Sequence, residues 1–233
     1  MALVPKHINN LSPYVPGMTI DEVKRKFGLT NIVKLASNEN PIGASPKAIK
    51  YAIENIDKSN RYPDSYAFKL RSKLADIYNV EIHNVILGGE SEGIMSVIMR
   101  TFLHDDDEIV SAQNSFIGFR VLANASGIKT HWVPMDNYHY DLPKLTSKIN
   151  NKTKIIYLAN PDNPTGTYFN RKDFDKFVEL VPSRVLIILD EAYFEYTSHI
   201  NDFPDSMIYK YNNIITLRTF SKAYGLAGLR VGY

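Results

Sequence analysis

Short runs of β-branched and aliphatic residues recur along the chain, with stretches of helical spacing between several of them. The runs are Glu108 to Ala112, Thr130 to Pro134, Lys154 to Ala159, Val185 to Leu189 and Ile214 to Leu217, with a shorter one, Val85 to Leu87, that ends in Gly88 and Gly89. They do not alternate apolar with polar, as a strand with one wet face would, and so predict strands buried on both sides, as in a mostly parallel sheet covered by helices. Helices are expected over Ser45 to Ile56, Tyr66 to Tyr78, Glu92 to Leu103, Phe116 to Ser126 and Arg171 to Leu180. In Glu92 to Leu103, for example, Ile94, Val97, Ile98, Thr101 and Phe102 form one mostly apolar stripe. The fold class is therefore α/β.

The remaining composition narrows the function. With 233 residues, 44% hydrophobic and 22% charged, the chain is long and apolar enough for a sizeable core, which excludes disorder and collagen-like structure. The formal net charge is +2 and no basic block occurs, so nucleic-acid binding has no support. Cysteine is absent, which excludes disulfides, thiolate catalysis and zinc-thiolate sites and is compatible with a reducing compartment. The start lacks the apolar core of a signal peptide, and Val185 to Leu189 is far short of the roughly 20 residues of a membrane span. A cytoplasmic location with no membrane partner is expected. The proline-bearing stretch to about Pro46 is expected to be an extended arm, and Leu229 to Tyr233 reads as an apolar strand.

Four segments carry polar groups where a parallel sheet places ligands, at the carboxyl ends of strands or at a helix start. Asn160-Pro-Asp-Asn-Pro-Thr-Gly166 follows a buried run and is either a plain Asn/Pro turn or a rigid platform for Asn163. Asp190 ends the run Val185 to Leu189 and is followed by Glu191, Ala192 and Tyr193; it is either a solvated strand-end acid or a desolvated carboxylate that needs a cationic partner, such as a protonated heterocyclic nitrogen. Arg218 to Arg230 holds Thr219, Ser221 and Lys222 among small residues, a set that can grip a phosphate and supply an amine for a Schiff base, unless Lys222 is an ordinary surface charge. Gly88-Gly-Glu-Ser91 opens a helix and can offer N–H groups to a phosphate, or Ser91 can simply be the N-cap. Glu90 and Glu92 would repel a phosphate unless their side chains point away from it. The six histidines show no metal-ligand pairing, and Asp105-Asp-Asp107 reads as a solvated turn.

Together these segments resemble the fold-type I, pyridoxal-phosphate-dependent aminotransferases, with Asn163, Asp190, Tyr193, Lys222 and Arg230 in that family's active-site order. Within it the chain is similar to the histidinol-phosphate aminotransferases through Leu11-Ser-Pro-Tyr-Val-Pro-Gly17, Leu35-Ala-Ser-Asn-Glu-Asn-Pro41 with Gly43, Arg61-Tyr-Pro-Asp64, and Thr219 to Arg230. The resemblance implies pyridoxal 5′-phosphate as cofactor, Lys222 as the Schiff-base and proton-moving lysine, and Asp190 as partner of the pyridinium nitrogen. It implies Asn163 and Tyr193 at the phenolic oxygen, Phe116 stacked on the ring, and Thr219, Ser221, Arg230 and the amides of Glu90 and Ser91 at the phosphate. By the same resemblance Tyr62 reaches the phosphate of a second subunit in a homodimer, and Tyr14 and Asn38 lie near the substrate. The family often has Ala or Ser then Asp in place of Glu90-Ser91, and Pro-Thr-Tyr in place of Asn114-Ser115-Phe116. Ring stacking and amide contacts survive these changes, but a tyrosine hydroxyl contact at 116 does not.

The implied reaction moves an amino group from L-histidinol phosphate to 2-oxoglutarate, giving imidazole-acetol phosphate and glutamate in histidine biosynthesis. The alternatives are a related aminotransferase, an amino-acid phosphate decarboxylase, or a cofactor-binding fragment without turnover. The implied domains are an arm with part of a small domain over 1–46 and a cofactor-binding large domain over 47–233. In the family a further segment follows the lysine loop, completes the small domain and supplies the arginine for the substrate carboxylate. The chain is accordingly expected to be roughly two thirds of family length, with an incomplete small domain.

Overall fold

The computed structural model describes residues 3–12 and 14–233; Pro13, in the Leu11 to Gly17 motif, lies outside them. Its helices are α1 (Lys6–Asn9), α2 (Ile20–Phe27), α3 (Pro46–Asn55), α4 (Phe68–Tyr78), α5 (Glu90–Phe102), α6 (Ile117–Ser126), α7 (Leu142–Ser147) and α8 (Arg171–Leu180). The strands are β1 (Glu108–Ala112), β2 (Lys129–Val133), β3 (Thr153–Ala159), β4 (Leu186–Asp190) and β5 (Ile214–Leu217). They form one parallel sheet in the order β2-β1-β3-β4-β5, with helices on both faces, as the apolar runs predict.

Two-residue periodicity divides the apolar runs between two cores. Ile155, Tyr157, Ala159, Leu186 and Ile188 pack with Ile94, Met95, Ile98 and Met99 of α5 and Phe119 of α6. Ile156, Leu158, Ile187 and Leu189 face the other way, against α7 and Phe174, Phe177 and Val178 of α8. Each fully buried Leu, Ile or Phe contributes about 1.5–3 kcal/mol, so burial on two faces, more than helix propensity, holds the sheet. Asp190 shares the parity of Ile188 and therefore faces the α5 side, directly beside Ala159 in register.

Several expectations need correction. Val85 to Leu87 is not a strand: Val85 follows a single 3-10 turn (Ile82–Asn84), and only Gly88 pairs, in an antiparallel bridge with Gly232. The arm before Pro46 is not extended throughout. Thr19 and Glu22 cap α2 reciprocally, at 3.2 and 2.7 Å, and Gly28 ends it in the left-handed region. Ser91 is not an N-cap, because α5 begins one residue earlier, with Gly89 at the cap position. The stretch after Leu229 forms no named strand, yet its backbone is stitched into the sheet margin: Arg218 and Tyr233 exchange N–H···O bonds of 2.7 and 2.9 Å, and Gly232 exchanges two of 3.0 Å with Gly88.

Candidate active site

At the carboxyl end of the sheet a cleft is lined by the starts of α5 and α6, the turn after β3, the end of β4 and the loop after β5. It straddles the point where the chain leaves β1 for β2 on one side and returns to β3 on the other, the usual ligand position in such sheets. Glu90, Ser91, Phe116, Asn163, Asp190, Tyr193, Thr219, Ser221 and Lys222 all face it.

The turn Asn160 to Gly166 is both a rigid turn and a platform. Asn160 is fully buried and pairs with the backbone of Phe169 through both ends of its amide, at 3.1 and 3.3 Å. Asp162 accepts from Ser115 Oγ at 2.7 Å, Tyr140 OH at 3.1 Å and Thr165 Oγ1 at 2.8 Å. With those two side chains used inside the turn, Asn163 is left facing the cleft, where its Nδ2 donates to Tyr193 OH at 3.2 Å. Asn38, from the N-terminal region, donates to the same phenol oxygen at 2.9 Å. Burial raises the Tyr193 phenol above its ordinary range, opposed by the Asn38 hydrogen bond.

Asp190 is only 5% exposed. Burial pushes its carboxyl up to about 6, against the lowering effects of a 2.9 Å hydrogen bond from Tyr157 OH, the Ala192 N–H at 3.1 Å and the Lys222 charge. Tyr157 went unnoticed in the sequence, although it is the one residue of Ile155 to Ala159 with a polar head. Its ring stacks on Phe119 with centroids 3.8 Å apart, which fixes the hydroxyl under Asp190. Lys222 lies across the cleft, its Nζ 5.7 Å from the Tyr193 ring centre and donating to Ser37 O at 3.0 Å. Burial lowers the Lys222 pKa, while Glu90, Asp190 and Glu39 oppose that shift.

The opposite end of the cleft is built from hydroxyls and charges. Thr219 Oγ1 accepts from the Ser221 N–H at 3.1 Å, and both residues are buried. The Glu90 carboxylate does not point away: it bonds both Ser221 Oγ and the Arg230 guanidinium. The Glu90 N–H is engaged with Gly88 O at 2.8 Å, while Ser91 lies in the first turn of α5, where amides have no intrahelical acceptor. Phe116 caps α6, and a Cβ on Gly118 would meet its ring at 2.6 Å, so the glycine is what lets the ring fold over the helix start. Tyr62 is fully exposed, and Tyr14 is also exposed; neither lines the cleft.

Arg218, beside Thr219, is no ligand-holding arginine. It is 1% exposed, donates to Glu191 Oε2 at 2.9 and 2.6 Å and to Asp205 at 2.7 Å, and lies 3.4 Å from the centre of the Phe194 ring. This buried network underpins the backbone on both sides of the cleft floor.

A profile of aminotransferase class I and II matches residues 30–233. Histidinol-phosphate aminotransferase 2 of Carboxydothermus hydrogenoformans is 44% identical over 99% of this chain and 64% of its own length. Histidinol-phosphate aminotransferase of an Anaeromyxobacter species is 43% identical over 100% of the chain and 65% of its own. Among solved structures, histidinol-phosphate aminotransferase from Sinorhizobium meliloti, in complex with pyridoxal-5′-phosphate, superposes with a TM-score of 0.87 at 26% identity, covering 100% of this chain and 62% of that one. The chain thus spans just under two thirds of the length of these relatives.

Proposed function

The chain belongs to the aminotransferase class I and II family, and from that premise we propose that it carries the cofactor-holding part of a pyridoxal-phosphate-dependent transaminase acting on L-histidinol phosphate and 2-oxoglutarate. The observation that carries this reading is the convergence, in one cleft, of the Lys222 amine, the buried Asp190 carboxyl and a Tyr193 phenol oxygen held by two amides. A carboxyl lifted by burial fits a cationic ring nitrogen, whose charge would offset the desolvation. The names of the relatives above support the substrate pair.

When bound, pyridoxal phosphate supplies a carbonyl that combines with amines and a protonated ring that withdraws electrons from the substrate Cα. Asp190, oriented by Tyr157 and Ala192, would hold the proton at the ring nitrogen. Asn163 and Tyr193 would orient the phenolic edge, and Phe116 would cover the ring face. Lys222, whose pKa burial lowers, would supply the amine that holds the cofactor's carbonyl carbon, and its Nζ would be the group placed to hold or move the proton at the substrate Cα. Thr219, Ser221, Arg230 and the Ser91 N–H would hold the phosphate, and Asn38 and, by resemblance, Tyr14 would lie toward the substrate.

The domain reading that goes with this is an arm and part of a small domain over 1–46 and a large domain over 47–233. The proposed state is a cytoplasmic homodimer in which Tyr62 reaches the partner's site; its complete exposure, beside exposed Tyr66 and Phe68, suits a surface covered by a second copy. Among the described residues no helix is long and apolar enough to cross a membrane.

The test is spectroscopic. Adding pyridoxal phosphate to the chain produces a visible absorbance band that Lys222→Ala abolishes, and L-histidinol phosphate shifts that band. Absence of any Lys222-dependent band refutes the cofactor assignment, and a band indifferent to histidinol phosphate refutes the substrate.

A further inference from the structure

The phosphate end of the cleft already contains an anion, supplied by the protein itself. The Glu90 carboxylate takes the Ser221 hydroxyl and the Arg230 guanidinium, two of the groups that the proposed function gives to the cofactor phosphate. Nothing local requires the side chain to be there: a glutamate in the first turn of a helix is favoured by the dipole wherever its side chain points. The backbone fixes the point from which the side chain reaches. Glu90 has φ 64°, in the left-handed region, and its N–H is bonded to Gly88 O. Gly232 presses against this peptide from behind, where a Cβ would lie 2.7 Å from Glu90 C and 2.9 Å from Ser91 N. The Gly88–Gly232 bridge locks the approach.

We propose that Glu90 is a built-in competitor for the phosphate: its carboxylate occupies the anion cradle and must swing out before a phosphate can take Ser221 and Arg230. This inference rests on the cofactor reading above and concerns the selectivity of the same site. A cradle open for only a fraction of the time weakens apparent affinity by that fraction. A phosphate on Ser221 and Arg230 would sit against the Glu90 carboxylate bonded to the same two groups, where like charges repel, so the penalty falls on phosphorylated ligands. A phosphate-free ligand of the ring end leaves Glu90 in place and binds without that penalty. Glu90 is thus a specificity-determining residue that narrows the preference for the phosphorylated over the unphosphorylated cofactor.

Inorganic phosphate, pyridoxal 5′-phosphate and pyridoxal are titrated calorimetrically into the wild-type chain, Glu90→Gln and Glu90→Gly. Glutamine keeps the side-chain volume without the charge, and glycine suits the positive φ, so the pair separates a charge effect from a folding defect. Inorganic phosphate and pyridoxal phosphate are expected to bind both variants about tenfold more tightly or better, with no gain for pyridoxal. Unchanged or weaker phosphate binding in both variants overturns the inference, as does an equal gain for pyridoxal. If inorganic phosphate tightens while no protein shows a Lys222-dependent band, the Glu90 inference stands and the transaminase reading fails.

Discussion

The two ends of the cleft are made differently. At the ring end, Asp190 is fixed by strand register against Ala159, by Tyr157 beneath it and by Arg218 locking the adjacent Glu191. At the phosphate end, Glu90 and Arg230 come from a helix start and a loop, and the Arg230 side chain is 57% exposed. One end is preorganised by the core, so its groups have nowhere else to go; the other pairs a partly exposed glutamate with an exposed arginine at the cleft edge. The difference teaches where substitutions should cost stability and where they should change only ligand preference.

The most severe way to test the contrast is Arg218→Met. It leaves Glu191, fully buried, and Asp205 without their shared cation, and losing one partner of a buried ion pair costs about 3–5 kcal/mol. Burial already lifts Glu191 above the usual carboxylate range against the opposing pull of Arg218, so the acid left behind should take up a proton near neutrality. Guanidinium unfolding of wild type and variant measures the loss; a cost below about 1 kcal/mol would show that the floor of the ring end is not the fixed platform described.

Asp190→Asn sharpens the same point through pH. Because the folded carboxyl titrates at about 6, above its ordinary 3.8, the folded chain keeps a proton that the unfolded chain has released between those values. Stability conferred by position 190 therefore falls as pH rises from about 4 to 6 and stays at its lower level above that. A shift of this size corresponds to something on the order of 3 kcal/mol. Relative to Asp190→Asn, wild-type stability should decline across this window and run parallel above it. Parallel curves throughout would mean that Asp190 is effectively solvated.

How much of this could be read from the chain follows the same division. The strands and the position of Asp190 were legible because a run of aliphatic residues closed by one acid is a strong pattern. Asn163, Tyr193 and Lys222 were legible by resemblance, and the structure does bring them together. Tyr157 was hidden because an aromatic within an apolar run reads as core, and only the register of β3 with β4 puts its hydroxyl under a carboxylate. Arg218 was hidden because its burial depends on Glu191, Asp205 and Tyr78, brought together by folding. Helix α2 was hidden by its polarity: it has no buried residue, and its capping box alone announces it. The Glu90 contact with Arg230 was hidden because local dipole reasoning says which charge suits a helix start, not which distant guanidinium the side chain will find.

The smallest effect should come from Arg230→Ala, and its smallness is the point. The Glu90–Arg230 pair is exposed on the arginine side, so solvent screens it and both side chains lose rotamer freedom in making it. Removing the guanidinium should cost less than about 1 kcal/mol in guanidinium unfolding, because Glu90 keeps the Ser221 hydroxyl and gains access to water. The same substitution should weaken binding of inorganic phosphate, since the guanidinium that pairs with Glu90 is gone. A stability loss approaching that of Arg218→Met would mean that the phosphate end is as rigid as the ring end, and the contrast between them would fail. A small stability loss with weakened phosphate binding is what a cradle of rearrangeable charges requires, because its groups contribute to ligand selection without holding the fold together.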